Sequence, residues 1–391
     1  MKIEVLHQLF LQYPYVCTDT RKIIEKSIFF ALKGDNFNGN EFAQNALNEG
    51  AAYAVVDEEE YAVSDKTILV TNALQTLQEL ATHHRNHHKA KIIGLTGSNG
   101  KTTTKELISI VLSKKYKTVA TKGNLNNHIG VPLTLLSIQE DTEIAVIEIG
   151  ANHLGEIAFL CSLAQPDYGY ITNFGKAHLE GFGSEEGVIQ GKSELYEFLI
   201  GHDRYIFFNA DDLVQLSKLN GYENKSGFSN ENHKNYQIKF QGANPFVALE
   251  VAGQTVQSKL IGNYNFTNCC AAILIGKYFK VPFSDIKIAL ESYSPQNNRS
   301  QIIEKNGNHI ILDAYNANPT SMKAALESFE KIPGTKKIAF LGDMFELGKT
   351  AATEHQSIAD LAKELNLKNV YLVGSNFNRT KTPYTKLETF Q

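Results

Sequence analysis

The chain has 391 residues, of which 20% are charged, and its 38 Lys and Arg against 42 Asp and Glu give a formal net charge of −4. At about 150 residues per domain this length calls for two or three domains, and the near-balanced charge gives no electrostatic case for nucleic acid or an anionic membrane. Cys17, Cys161, Cys269 and Cys270 lack C-x-x-C spacing, the start MKIEVLHQLFLQYPY lacks a leader's apolar stretch, and nowhere do 18 apolar residues run together; a cytoplasmic protein without a membrane span is therefore expected.

In chain order, the first 85 residues read as a small α/β module. Short apolar runs at Ser27 to Leu32 and Ala51 to Val56 are separated by turns rich in Gly and Asn. The segment ALQTLQELATHHRNHH follows as a helix with Leu74, Leu77, Leu80 and Ala81 on one face, and a second domain is expected to begin near Asn86. From there KIIGLT, TVAT, EIAVIEIG, YGYITN and YIFFNA alternate with helical patterns, including Lys105 to Leu112, which argues for a mostly parallel sheet with helices on its faces. Phe246 to Leu260 reads as a hairpin around Gly253, followed by a helical NFTNCCAAILIGKYF. Ser292 to Gln301 has the composition of a hinge. Beyond it are predicted strands at Ile310 to Asp313, Ile338 to Leu341 and Val370 to Val373, with a helix capped by Asn318 and opened by Pro319, and another near Glu354 to Leu365. This is half of a doubly wound fold, and the polar stretch after Val373 carries no predicted element. The expected domains are 1–85, 86–293 and 294–391.

The strongest chemical signal is GLTGSNGKTTTK, Gly94 to Lys105, where an apolar strand meets glycines and Lys-Thr and passes straight into an amphipathic helix. Gly97, Ser98, Asn99 and Gly100 would turn backbone N–H groups toward phosphate oxygens. Lys101 would bring a cation to the β- and γ-phosphates, and Thr102, beside Thr103, a hydroxyl to Mg²⁺. The spacing fits a short G-x-x-G-K-T-T loop from Gly97; the longer G-x-x-x-x-G-K form would need glycine at Leu95.

With this loop come TDTR (Thr18 to Arg21), GDNFNGNEF, GNLNNHIGVPLTLL, EIGANHLGEI, TNFGKAHLEGFGSEEGV, DAYNANPTSM and LGDMFELG. In that order they resemble the Mur ligases, ATP-dependent amide-forming enzymes of peptidoglycan precursor synthesis. Within them they look like the member that adds D-alanyl-D-alanine to UDP-N-acetylmuramoyl-tripeptide. The resemblance implies a uridine-binding N-terminal module, a central P-loop ATPase domain and a Rossmann-like C-terminal domain. It further implies ATP, Mg²⁺ (two ions) and a monomer. The D-N-P-[RK] signature expected of the relative that adds diaminopimelate or lysine is absent, and TDTR with its module is not expected in folylpolyglutamate synthases.

Several side chains acquire roles on this basis. Glu148 closes the strand EIAVIEIG at the sheet end where such folds bind ligands, and is assigned to Mg²⁺. The resemblance gives His178 and Lys192 to a second metal site and implies that Lys192 is carbamylated; in VIQGKSELYEFL that lysine would otherwise pass for a helix-surface residue. Such chemistry needs a neutral amine and hence a depressed pKa. Lys101, Glu148, His178 and Lys192 are thus the expected catalytic set, while Asn265, Asn268, Arg299, Asp313 and Asn316 are implied ATP contacts. Tyr264 stands where the family usually has histidine. Asp19, Thr20, Arg21, Phe37 and Asn38 are candidates for the uridine and its phosphates, and Asn127, in an Asn-rich turn, for the muramoyl substrate.

Two signals are set aside. HHRNHH places His83 with His87, and His84 with His88, at a spacing that can bind metal, but reads as a solvated linker helix; Cys269 and Cys270 read as core. The rival functional readings are another Mur-type ligase with a different amine, or a nucleotide-binding paralogue or fragment without catalysis. A K-G-S-R-like segment usual in the family is not found, so the third domain is expected to be incomplete at the C-terminus.

Overall fold

The computed structural model describes residues 1–231, 234–296, 298–334 and 336–389. Asn297 of the hinge segment and the last two residues of the polar ending lie outside them. The chain packs as two units, one of Met1–Gly94, Tyr116–Ile149 and Phe159–Asp167, the other of Leu95–Lys115, Gly150–Ala158 and Tyr168–Gln391.

In the first unit, Val16–Cys17, Ile28–Phe30, Tyr53–Val56 and Thr67–Leu69 form a parallel four-stranded sheet in that order. Small residues permit close packing beneath it: Ala31, Ala43, Ala46 and Ala54 join Phe29 and Val56 in one buried cluster. The helix Ala73–His87 is capped by Asn72, whose side chain accepts the Gln75 N–H at 2.8 Å. Its buried face is Ala73, Leu77, Leu80, Ala81 and His84.

That face corrects the solvated reading of HHRNHH. His84 is buried, with its Nδ1 3.0 Å from His7 Nε2 and its Nε2 2.8 Å from the Ile138 carbonyl, so it joins the helix Ile3–Gln12 to the module. Burial lowers the pKa of both His7 and His84 to about 4, and the neighbouring histidines act in the same direction. Among the described residues no cluster of His, Cys, Asp or Glu is arranged to hold a metal ion. Also in this unit, Thr118–Ala120 pairs in parallel with Ile144–Glu148.

In the second unit, Tyr168–Ile171, Tyr205–Asn209, Lys225–Ser229 and Tyr236–Gln237 pair in parallel. The expected hairpin is present, Phe246–Val251 against Gln254–Ile261, with Lys239–Ala243 added on its other edge. The helix Asn265–Tyr278 is buried over most of its surface and is a core helix, with Cys269 and Cys270 fully buried as free thiols. It lies so close to the helix Lys101–Leu112 that a Cβ at Gly276 would come within 2.5 Å of Val111.

The third domain departs from its predicted strands. The strand foreseen at Ile310 to Asp313 is Asn308–Leu312, and it pairs antiparallel with Gln301–Lys305 in a separate hairpin. Asn306 and Gly307 turn that hairpin, both at positive φ, as a tight two-residue turn requires. The parallel sheet is Ile338–Gly342, Asn369–Val373 and Thr385–Leu387. Its last strand, after the short helix Ser375–Asn378, comes from the polar ending for which no element was expected. Asn318 caps the helix Pro319–Lys331 as foreseen, in a reciprocal capping box with Ser321.

Candidate active site

The phosphate loop is assembled as its sequence requires. A buried strand, Lys91–Thr96, passes through Gly97 to Gly100 into the helix Lys101–Leu112. Gly97 and Gly100 have φ of +140° and +78°, and a Cβ would meet Thr172 Oγ1 at 2.0 Å from the first and Asn268 Oδ1 at 2.7 Å from the second. Only glycine satisfies both demands. The loop is gripped from behind: Asn173 accepts the N–H of Ser98 on its carbonyl (3.0 Å) and that of Asn99 on its side chain (3.1 Å), while Thr172 Oγ1 donates to the Asn99 carbonyl at 2.6 Å.

Lys101 Nζ donates to the carbonyls of Gly97 (2.7 Å) and Ser98 (3.2 Å), holding its cation over the loop. Among the described residues, the Ser98 hydroxyl and the Asn99 side-chain nitrogen are buried without a hydrogen-bond partner. Polar groups left so at a helix N-terminus suit phosphate oxygens, so the loop fits the nucleotide.

Lys192 lies on the helix Glu185–Gly201, which buries Val188, Gly191, Ser193, Leu195 and Leu199 with it. Its exposure is 0%, so it is not a surface lysine. Nζ donates to the Ala151 carbonyl at 3.0 Å and sits 4.8 Å from the centre of the Phe182 ring. Burial pushes its pKa well below the usual lysine range, and the Lys101 charge adds to the effect. Burial thus favours the neutral form of the amine over the charged one. Two residues on, Glu194 accepts the N–H groups of Gly155 (2.6 Å) and Ala158 (2.9 Å), fixing the segment that carries Ala151.

His178 has φ of +53° and opens the short helix Leu179–Phe182. Its Nδ1 is hydrogen-bonded to the Glu346 carboxylate. Burial lowers its pKa and the Lys101 charge adds to this, against the pull of Glu346.

Glu148, in the first unit, is only 1% exposed, which excludes a solvent-facing strand end. Its Oε1 accepts from Asn126 Nδ2 at 2.8 Å, and its backbone N–H donates to Thr121 Oγ1 at 2.9 Å. Asn127 is exposed and uses its side-chain oxygen locally, accepting the N–H groups of Ile129 (3.1 Å) and Gly130 (2.9 Å).

Arg21 is exposed and forms a two-point pair with Asp19, both contacts at 2.9 Å, beside Thr20 at the start of a single helical turn. Phe37 is 59% exposed on the small hairpin Lys33–Gly34 and Phe37–Asn38, a ring face open to stacking. Asn38 donates to Glu58 at 2.8 Å.

Asn265 and Asn268 are buried beneath the phosphate loop. Asn265 donates to the Ile261 carbonyl (2.8 Å), Asn268 donates to Asn265 (2.8 Å), and Thr104 donates to Asn268 (3.0 Å). Their amides therefore brace the loop. Tyr264, in the usual place of histidine, is bonded to Ser300 at 2.6 Å. Arg299 stacks on Tyr315 at 3.6 Å, Asp313 accepts the Ser300 N–H at 3.2 Å, and Asn316 accepts the Ala317 N–H at 2.9 Å.

Four contacts around the site were not foreseen. Asn318 donates to Asn99 Oδ1 at 2.6 Å, Thr320 accepts the Lys176 N–H at 3.0 Å, Glu354 pairs with Lys176 at 3.4 Å, and Glu346 meets His178. All bring the third domain to the phosphate loop or to TNFGKAH. Their residues lie in segments that stood out in the sequence, but pairing across more than a hundred residues leaves no local signal.

For Mg²⁺, the Thr102 hydroxyl and Glu148 carboxylate are donors of the right hardness, and a carbamate on Lys192 would be another. Unmodified, Lys192 offers no acceptor beyond a neutral nitrogen. Among the described residues, no group of three or more His, Cys, Asp or Glu is arranged to hold a metal ion.

Residues 13–85 match the Mur ligase family catalytic domain, 95–276 the Mur ligase middle domain and 298–390 the Mur ligase glutamate ligase domain. The chain belongs to the Mur ligase family. This Mur ligase is 37% identical over 371 residues to the UDP-N-acetylmuramoyl-tripeptide–D-alanyl-D-alanine ligase of Bacillus subtilis, covering 92% of this chain and 79% of that protein. A crystal structure of MurF from Acinetobacter baumannii superposes with a TM-score of 0.84 at 30% identity, over 96% of this chain and 84% of that one. MurF ligase from Thermotoga maritima, solved in complex with ADP, gives 0.83 at 28% identity, over 96% and 88%. No helix among the described residues of this Mur ligase is long and apolar enough to cross a membrane.

Proposed function

We infer that the chain is an ATP-dependent, ADP-forming ligase that joins D-alanyl-D-alanine to UDP-N-acetylmuramoyl-tripeptide in peptidoglycan precursor synthesis. The observation that carries this is the likeness, across all three domains, to ligases of that name, around a phosphate loop whose Lys101 stands over it. In this reaction the tripeptide carboxylate attacks the γ-phosphate of ATP, giving ADP and an acyl phosphate. The amine of the dipeptide then displaces inorganic phosphate and an amide forms.

Negative charge collects on the phosphoryl oxygens in the first step and on the acyl oxygen in the second. Preorganised charge and N–H groups are therefore the protein's main lever. Lys101 and the N–H groups that open its helix would face that charge, while those of Ser98 and Asn99 are held by Asn173. Thr102, Glu148, His178 and Lys192 would hold Mg²⁺, two ions in the full site, which when bound neutralises phosphate charge. Carbamylation of Lys192 is supported by its burial, which favours the neutral amine: the nitrogen would form a bond to CO₂ and release a proton, turning the amine into an anionic oxygen ligand. Asp19, Thr20, Arg21, Phe37 and Asn38 would bind the uridine diphosphate and Asn127 the muramoyl group. Asn265, Asn268, Arg299, Asp313 and Asn316 would contact ATP, and Asn268 also accepts from Thr104 at the start of the helix after the loop. Water must be kept from the acyl phosphate, a task suited to a third domain that touches Asn99.

The same reading takes the domains as 1–85, 86–293 and 294–391. It takes the enzyme as a cytoplasmic monomer serving wall synthesis in cell shape and division. A coupled ADP assay tests it: release is expected only with ATP, Mg²⁺, the UDP-tripeptide and D-alanyl-D-alanine together. Background release with all four present, rising with another amine, would reject the substrate assignment.

A further inference from the structure

Glu346 reaches His178 from a loop that is itself firmly placed. The segment after the strand Ile338–Gly342 is anchored by the Asp343 N–H donating to the Val373 carbonyl (3.0 Å) and the Met344 N–H donating to His355 Nε2 (3.0 Å). Asp343 in turn accepts the N–H groups of Asn376 and Phe377, both at 2.9 Å. Met344 and Leu347 are buried on either side, while Glu346 takes a left-handed φ of +60° that turns it away from the sheet.

It then holds the His178 turn at two points. Its carboxylate bonds to Nδ1 of the imidazole, and its carbonyl accepts the Glu180 N–H at 3.1 Å. Gly348, close behind, packs on Glu180, where a Cβ would stand 3.5 Å away. A non-glycine residue at positive φ on each side of one hydrogen bond costs backbone energy, so the arrangement is not a default of either loop.

A carboxylate oxygen accepts from a ring N–H. Its partner Nδ1 must therefore carry the proton, and a neutral ring then keeps its lone pair on Nε2. Histidines that bind metals are set in this way, by an acceptor on the opposite nitrogen.

We propose that Glu346 is a positioning residue for His178: supplied by the third domain, it fixes the Nδ1–H tautomer and the ring direction, leaving Nε2 to face the reacting phosphates or their metal. The proposal rests on the reading of His178 as a metal-site residue. Its consequence is that His178 is set for use only while the third domain is seated on the central one. Substrate-driven seating would then prepare the metal site in the same movement that excludes water.

The test uses the full chain labelled with ¹⁵N-histidine and free of metal, with the His178 resonances assigned by His178→Gln. The tautomer is read from the ring nitrogens and compared with steady-state kinetics. The wild-type protein should carry the proton on Nδ1. Glu346→Ala should shift it to Nε2 and lower kcat about 10- to 100-fold, with KM for ATP and for the dipeptide within about 3-fold. Glu346→Gln, which keeps a carbonyl acceptor at the same reach, should restore most of the rate. A wild-type proton on Nε2 overturns the proposal whatever the variants do, and so does a Glu346→Ala enzyme with unchanged tautomer and kcat. Full activity in His178→Ala would instead overturn the metal-site reading and leave the tautomer result standing.

Discussion

The phosphate loop and the N-terminal turn carrying Asp19 to Arg21 are both offered for phosphates, yet they are built in opposite ways. Around the loop, glycines leave no room for side chains, Asn173 and Thr172 hold the backbone, and Lys101 is tied to two carbonyls. At the N-terminal turn Arg21 is 86% exposed in its side chain and pairs only with its neighbour Asp19, while Phe37 stands open. A preorganised region spends nothing on reorganisation when charge develops, so it belongs to the chemical step. An exposed, self-paired region must order itself on binding, and its effect should fall on affinity.

That contrast can be broken by kinetics. The largest effect is expected from Lys101→Ala, which should lower kcat about 10²- to 10³-fold in a phosphate-release assay. Next, Lys192→Ala should lose about 10²-fold or more of the rate and recover part of it with added short carboxylates. Lys192→Arg should be as inactive, because a guanidinium stays charged and cannot take up CO₂. An unchanged rate in Lys192→Ala would remove the carbamate.

Changes in the exposed region should act on KM. Phe37→Ala is expected to raise KM for the UDP-tripeptide about 2- to 10-fold, the worth of a lost ring stack, with kcat within about 2-fold. Arg21→Ala should do the same while leaving Tm unchanged, since an exposed ion pair adds little to stability. If kcat fell with either variant, the division of labour between the two regions would be wrong.

A smaller effect concerns stability alone. His7 and His84, with folded pKa values near 4 against an ordinary 6.5, are neutral when buried and bind protons on unfolding. Their contribution is therefore complete above pH 6.5 and lost as pH falls toward 4. His83, His87 and His88 face the same cluster, and Glu140 partly offsets the positive charge at His88. Thermal scans should show Tm of the first unit dropping by several degrees between pH 7 and 5, and His84→Gln should flatten that slope.

Much of this was legible in the sequence where local chemistry decides the backbone. The Gly97 to Lys101 loop, the hairpin at Gly253 and the Asn318 cap each rest on residues a few positions apart, and each was found where expected. The hairpin Gln301–Lys305 with Asn308–Leu312 was not, because its strands are largely exposed and carry Glu, Lys and Asn without a buried alternation. Asn306-Gly307 was the signal available. Thr385–Leu387 is a short polar strand at a sheet edge, which periodicity does not detect. Lys192 was missed as buried because a helical lysine is ordinarily at the surface, although the exposed Glu186, Gln190 and Glu197 share a face that leaves Lys192 on the other side. The reach of Glu346 to His178 likewise depends on tertiary packing over 168 positions.

The central claim, that the tripeptide carboxylate is activated by ATP before the dipeptide attacks, has a direct isotopic test. With ¹⁸O in the terminal carboxylate of UDP-N-acetylmuramoyl-tripeptide, turnover with ATP, Mg²⁺ and D-alanyl-D-alanine should deliver one labelled oxygen to each inorganic phosphate released. Phosphate formed without label, alongside the ligated product, would contradict it.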